Sequence, residues 1–457
     1  MNRQPPGQRG QTSKRGFGAE LLLVLCVLLP LIVIFLLPTG GLVGSGVFFW
    51  LSLLMCFWMI SMLLGTFSQR AVEGPPELPG PRTLPDAEQP AAIKEVMEVR
   101  LAEEENGARM FRGRLREPAT AVYAKLKQAF ASGTVPLIAA DEQFGASILL
   151  VPYAGTQATL EKPASVWVNW LLFALTVLTT TWAGAAHQGV NLLREPERFA
   201  VGLPYALGLL AILGVHEMGH FFMARHHGIR VTPPYFIPVP FALGTFGAFI
   251  KMRSPAEDRR ALFDVAVAGP LAGLVIAIPA LLIGLRSSVI VTASAAEPLA
   301  GMMHGGASVG SSVLLALLAK LSFGPALLEG HVLQLSPLAF AGWLGLMITA
   351  LNLLPIGQLD GGHIAHAMFG GRTGETIGSV AMWTLLLLGL FVWPGLLTWA
   401  IIVFFIAGRA APPLDDLTPL TPARRRLGYA AFAILALILA PLPHALWNAV
   451  GLHCPYI

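Results

Sequence analysis

LAILGVHEMGHFFMAR, residues Leu210 to Arg225, is the stretch from which the rest of the chain can be read. It sets His216, Glu217 and His220 inside a run that is otherwise almost wholly apolar. On an α-helix, residues four apart lie on one face, so His216 and His220 can offer both imidazoles to one metal ion with Glu217 beside them. Ionisable groups are costly in a hydrocarbon-facing helix, so three on neighbouring positions point to an enclosed, functional cavity. The plainer alternative is a pair of hydrogen-bonded core histidines.

The surrounding composition agrees with membrane depth. Of 457 residues, 55% are hydrophobic and 12% charged, and the mean hydropathy is +0.66. Soluble domains carry about 25% charged residues, so the chain reads as a polytopic membrane protein in a lipid bilayer. A net charge of +4 does not indicate a nucleic-acid partner, because the Lys and Arg residues sit in loops beside apolar segments and read as topology signals. The three cysteines, Cys26, Cys56 and Cys454, lie far apart and form neither a disulfide framework nor a thiolate metal site.

Taken in order, residues 1–18 are a basic tail expected on the cytoplasmic side, and residues 19–66 contain two apolar runs read as a membrane hairpin. Residues 67–163 begin with a Pro-rich linker and then become charge-dense, as expected of a small soluble α/β domain inserted after the second helix. Within it, Ala91–Glu105 and Ala119–Ser132 read as helices, and Ala108–Leu115, Val135–Ala140 and Ala146–Tyr153 as strands. This domain has no Cys, no His and no phosphate loop, so docking or regulation is expected of it rather than a second catalytic centre.

Residues 164–408 are expected to form the catalytic membrane core. Trp167–Ala185 is the third span and Phe199–Arg225 the fourth, and the RHHGIR cluster after it marks a return to the cytoplasm. His226 and His227 read as interfacial residues. Thr232–Ile250 is apolar but broken by four prolines and by Gly244 and Gly247, so it reads as a re-entrant loop or hairpin leaning on the site. Ala261–Leu285 is a fifth span whose AGPLAG, Ala268 to Gly273, is explained by close helix packing. Arg286–Gln334 is a loop on the far side, which places His304 and His331 away from the motif. Leu335–Ile356, Ile377–Phe391, Leu396–Ile406 and Leu427–Leu442 complete about nine transmembrane helices, the last lying in the 409–457 linker and tail.

A second polar constellation closes the Leu335–Ile356 run: LNLLPIGQLDGGH, with Asn352, Asp360 and His363. A catalytic zinc takes three protein ligands and keeps one position open, and the fourth span supplies only two. Both polar clusters fall near the cytoplasmic ends of helices running in the same direction, so Asp360 can meet His216 and His220 at one depth. The alternative is an Asp capping the helix that follows.

With both clusters in view, the chain resembles the site-2 protease family of intramembrane zinc metalloproteases, and most closely its cyanobacterial and plastid-like branch. The resemblance rests on HEMGHFFMARHHGIRVTPPYFIPVPFALGTFGAFIKM, VAGPLAG and LNLLPIGQLDGGHI, which together cover about Gly214 to His363. MFRGRLR, Met110 to Arg116, is similar to a short motif of that branch's soluble domain, with Arg114 where Asn is expected. The resemblance implies one Zn2+ per chain on His216, His220 and Asp360, with Glu217 as general acid and base. It implies that Asn352 orients the substrate carbonyl or oxyanion. It also implies that the hairpin, through Phe236, Gly244, Thr245, Phe246 and Gly247, offers an edge to an unwound substrate.

The expected activity is endoproteolysis in or near transmembrane segments of other membrane proteins, in the inner membrane of a bacterium, with the site towards the cytoplasm. A metal transporter using the same His pair is the non-enzymatic alternative. A zinc peptidase acting on prenylated or other soluble-tail substrates is a further one.

Overall fold

The computed structural model describes residues 82–105, 107–130, 134–152, 166–240, 243–292, 312–324, 331–391 and 411–440, with isolated positions between 397 and 408. Apart from Pro240, these belong to one compact unit. The two expected N-terminal spans, and most of Leu396–Ile406, lie outside the described residues, as does His304.

The charge-dense part forms a five-stranded antiparallel sheet in the order β1-β2-β3-β5-β4, where β1 is Arg82–Thr83, β2 Met97–Glu105, β3 Ala108–Leu115, β4 Thr134–Asp141 and β5 Gly145–Pro152. Helices α1 (Ala91–Val96) and α2 (Ala119–Ala129) accompany it. Its core contains Ile93, Phe111, Val122, Leu126, Ile138 and Ile148, all essentially without exposure.

The single helix expected over Ala91–Glu105 is a correction: it stops at Val96, and the rest is strand β2. Glu, Ala and Leu favour helices in isolation, but β2 is paired on both sides, and tertiary pairing overrides propensity. A bulge between Val99 and Leu101 also shifts the two-residue alternation that would have marked a strand.

Among the described residues, four helices are long and apolar enough to cross a membrane: Val166–His187, Pro196–His226, Arg259–Leu285 and Gly371–Phe391. The first is α3. The second opens with a 3-10 turn over Pro196–Gly202 and continues as α4, Leu203–His226. The third is α5, started by Asp258, whose carboxylate accepts the Ala261 N–H at 2.8 Å. After α5 come strand β8 (Val289–Thr292), helix α6 (Val313–Phe323) and strand β9 (His331–Gln334), with β8 and β9 pairing antiparallel. The far-side segment read as a loop therefore carries a two-stranded ribbon and a short helix.

Helix α7, Pro337–Leu353, is capped by Ser336 and followed by α8 (Asp360–Phe369), by α9 (Gly371–Phe391), the fourth of the helices long and apolar enough to span, and by α10 (Pro422–Leu439). At 17 residues, α7 is about 25 Å long, short of the roughly 30 Å hydrocarbon thickness. It is enclosed by protein: Leu346, Ala350 and Leu353 sit in one core with Leu281 and Leu285 of α5 and Ile364 of α8.

The Pro-rich stretch is a hairpin, as expected. β6 (Tyr235–Pro238) pairs antiparallel with β7 (Thr245–Phe249), and the ribbon is extended by Val231 opposite Met252. Asn169 of α3 donates to the carbonyls of Pro233 and Pro234, at 3.1 and 2.8 Å. Thr179 donates to the Gly244 carbonyl at 2.7 Å. Pro cannot donate to a ladder, and these side chains tie the Pro-rich lead-in and the turn to α3; the Gly244 carbonyl also accepts the Val239 N–H at 3.1 Å.

Candidate active site

His216, Glu217 and His220 are adjacent on α4 and buried, with 3%, 6% and 7% of their surface exposed. The Nε2 atoms of the two histidines are 3.1 Å apart. Asp360 Oδ2 lies 3.4 Å from His216 Nε2 and 3.3 Å from His220 Nε2. Two donors each about 2.0–2.1 Å from a tetrahedral ion are about 3.3 Å apart, so this triangle has the dimensions of one face of such a site.

The imidazole chemistry fits as well. His220 Nδ1 is 2.8 Å from the Val265 carbonyl of α5, and a carbonyl only accepts, so Nδ1 carries the proton. The neutral ring then has its lone pair on Nε2, the atom facing Asp360. Among the described residues, His216, Glu217 and His220 form the one group of potential metal-binding side chains whose ligand atoms lie within 4.8 Å of one another. Asp360 extends that group from a second helix.

Asp360 is the first residue of α8, one past the N-cap position occupied by Leu359, and no side chain caps this helix. Its carboxylate is thus turned towards the histidines and not onto its own backbone. The next residue, Gly361, packs too closely on the end of α7 for a side chain: a Cβ there would lie 1.9 Å from the Leu353 carbonyl oxygen.

Helix α5 supplies room. A Cβ on Gly269 would fall 2.1 Å from His220 Nε2, and one on Gly273 would fall 3.2 Å from His216 Nδ1. The two glycines are spaced four apart, like the histidines, and run antiparallel to them. The small-residue stretch attributed to packing alone is therefore also the wall against which the imidazoles lie. Sequence reasoning missed this, although the matching four-residue spacings in the two helices were its available signal. The Val265 carbonyl, a backbone group, left no signal.

Glu217 Oε1 is 4.0 Å from His216 Nε2, and its carboxylate accepts the backbone N–H of Ile250, just past β7. The hairpin and the acid are in contact. Asn352, near the end of α7, places Nδ2 3.2 Å from His216 Nε2, so it too converges on this centre.

The hairpin residues divide by exposure. Phe246 is 40% exposed, and Gly247, at φ 103°, faces open space. Phe236 is buried edge-on against Phe173, with ring centroids 5.1 Å apart. Thr245 is buried and its hydroxyl donates to Ile237 and accepts from Gly247. Gly244, at φ 79°, presses on Thr180.

His226 ends α4, and His227 bonds through Nε2 to Asp264 at 3.0 Å, so neither joins the centre. His363, on α8, has a buried Nδ1 with no hydrogen-bond partner among the described residues.

Residues 204–392 match the family model described as Peptidase family M50. The chain is 36% identical over 243 residues to the probable zinc metalloprotease EGY2, chloroplastic, of Oryza sativa subsp. indica, covering 53% of this chain and 43% of that protein. It is 35% identical over 256 residues to the probable zinc metalloprotease EGY1, chloroplastic, of Arabidopsis thaliana, covering 55% and 45%. Over a longer stretch of 380 residues it is 28% identical to the probable zinc metalloprotease EGY3, chloroplastic, of Oryza sativa subsp. japonica, covering 76% and 62%. The chain thus spans less than half the length of the first two of these relatives. No solved structure matches it.

Proposed function

We propose, from the premise that residues 204–392 are a peptidase family M50 domain, that this chain is a zinc-dependent endopeptidase cutting membrane-protein substrates in or near their transmembrane segments. The observation that carries the reading is the triangle of His216 Nε2, His220 Nε2 and Asp360 Oδ2, with edges of 3.1 to 3.4 Å, closed by two different helices. These three residues hold one Zn2+. When bound, zinc supplies Lewis acidity, which brings the pKa of a water to about 7 and polarises a carbonyl.

The chain's own groups do the rest. Glu217 stands beside the centre, held by the Ile250 N–H, where it takes a proton from the attacking water and returns it to the leaving amine. Asn352 approaches from α7, where its amide N–H groups can donate to the oxygen on which charge develops. A transmembrane substrate hides its carbonyls in its own helix and has to unwind locally. A two-stranded ribbon leaves an unpaired edge on each strand, and a freed substrate segment added to that edge regains backbone hydrogen bonds. Phe246 and Gly247 meet the substrate, while Phe236, Gly244 and Thr245 hold the hairpin in place. We place the site on the side of the bilayer that bears the soluble domain, the cytoplasmic side if the chain resides in a bacterial cell membrane.

The transporter alternative has no observation behind it, since the described residues offer one potential metal-binding group. The test is Glu217→Gln. Purified variant is expected to keep one zinc per chain and to lose cleavage of a reconstituted transmembrane substrate, by about 10²–10⁴-fold. Unchanged turnover would rule out this mechanism.

A further inference from the structure

The residues between the membrane core and α10 do more than connect them. Residues 414–416 lie as a strap between two elements. On one side, Ile138 of edge strand β4 donates its N–H to Leu414 O at 2.8 Å and accepts the Asp416 N–H at 2.9 Å. On the other side, Leu414 and Asp415 donate to the carbonyls of Ala256 and Glu257, the lead-in to α5. Asp415 closes a turn on the N–H groups of Leu417 and Thr418, and Leu417 packs against the soluble core. An edge strand presents unpaired backbone groups, and here the strap covers part of them.

The Asp416 side chain turns the other way. Its Oδ1 accepts from Arg259 Nε at 2.8 Å and contacts His366 Nε2 at 2.9 Å. Both Asp416 and His366 are buried, with 8% exposure each. Arg259 is the first residue of α5, six residues before Val265, whose carbonyl holds His220. His366 is on α8, six residues after Asp360. Each offset is about 9 Å of helix, short enough for a helix to transmit a shift without bending.

We propose that Asp416 is a positioning residue for the candidate catalytic centre: by clamping α5 to α8 it aligns Asp360 with His216 and His220, and through Ile138 it makes that alignment depend on docking of the soluble domain. The proposal rests on the zinc-site reading above. One residue thereby joins the helix that positions His220, the helix that bears Asp360 and the sheet that bears no catalytic group. Docking or release of the soluble domain is the input, and the completeness of the donor triangle is the output.

The experiment compares full-length wild type with Asp416→Asn, which is nearly isosteric, and with Leu417→Arg, which removes the strap's apolar contact with the soluble core and touches no group near the metal. Zinc affinity is measured by chelator competition, and kcat and KM on a reconstituted transmembrane substrate. Hydrogen exchange is followed over residues 358–366 in zinc-stripped protein. For both variants, zinc affinity and kcat are expected to fall roughly 10–100-fold, as for groups that orient ligands, while KM stays within about twofold. Exchange over 358–366 is expected to rise, and the double variant to be no worse than Asp416→Asn.

Wild-type zinc affinity and exchange in Asp416→Asn overturn the proposal. A matching loss in KM and melting temperature overturns it too, because that is collapse of the fold. Full effects in Asp416→Asn with none in Leu417→Arg overturn the link to the soluble domain. Wild-type protein that binds no zinc removes the site reading itself, and that failure is visible before any variant is made.

Discussion

At the scale of single residues, the centre depends on what α5 lacks. Alanine is favoured over glycine inside a helix by about 0.8–1.0 kcal/mol, so propensity alone would make Gly269→Ala and Gly273→Ala mildly stabilising. At Gly269 sterics oppose this: a methyl 2.1 Å from His220 Nε2 stands far inside the roughly 3.5–4.0 Å contact distance. Either the ring leaves the donor triangle or α5 retreats and withdraws the Val265 carbonyl. Gly269→Ala is therefore expected to cost at least about tenfold in zinc affinity, and Gly273→Ala, with contacts of 3.2–3.3 Å, much less. Zinc titration of the two purified variants checks the order, and equal affinities would contradict it. The His216–Glu217–His220 group was legible in the sequence because i and i+4 side chains must share a helix face. Asp360 was expected near the pair from a span count, and its Oδ2 lies 3.3–3.4 Å from both Nε2 atoms. The glycines were not recognised, since a small residue that clears an imidazole looks the same in sequence as one that lets two helices touch.

At the scale of elements, the hairpin and the strap make separable predictions. Gly244 sits at φ 79°, and a Cβ there would lie 2.5 Å from the Thr180 Cα, so Gly244→Ala is strained in backbone and in space. The turn must shift, and a misplacement of about 1 Å can cost roughly 10²-fold in rate. Zinc content is expected to stay at wild type while kcat/KM falls, which separates substrate positioning from metal binding. Loss of zinc in this variant would refute the separation. The strap is tested by acid. Burial pushes the Asp416 carboxyl up, but the hydrogen bonds from His366 and Arg259 and their charges outweigh it and hold it below the usual carboxylate range. A depressed native pKa contributes stability that is fully present above the unfolded value of about 3.9 and is lost as pH falls through the lower native value. The stability difference between wild type and Asp416→Asn, measured by thermal unfolding, is thus expected to be constant above about pH 5 and to shrink below about pH 4. A difference that grows on acidification would contradict the sign. Of these elements, the hairpin was legible because four prolines and two glycines forbid a spanning helix. Strand β2 was not, because its bulge breaks the alternation of a Glu-rich run. The strap was invisible because it is held mostly by backbone groups.

At the scale of the whole molecule, the donor triangle is enclosed by apolar helices, and under the function proposed above a substrate comes to it as a transmembrane segment and opens there. Unwinding exposes backbone N–H and C=O groups where no lipid can accept them, which makes the substrate's own helix stability a part of the barrier. The hairpin edge offsets only what it can pair. A glycine near the scissile bond lowers helix stability by about 1 kcal/mol relative to alanine or leucine and a proline by about 3 kcal/mol, and 1.36 kcal/mol is tenfold in rate. Replacing one such glycine by leucine is therefore expected to slow cleavage about fivefold, and replacing a proline by more than tenfold, with zinc content and substrate insertion unchanged. The measurement is kcat/KM for a graded series of single-span substrates in proteoliposomes. A soluble peptide carrying the same bond has no membrane helix to open, so its cleavage should not vary across the series. If the membrane substrates are cut at rates as uniform as the peptides, unwinding does not limit the reaction. The hairpin would then serve to orient a segment that arrives already extended.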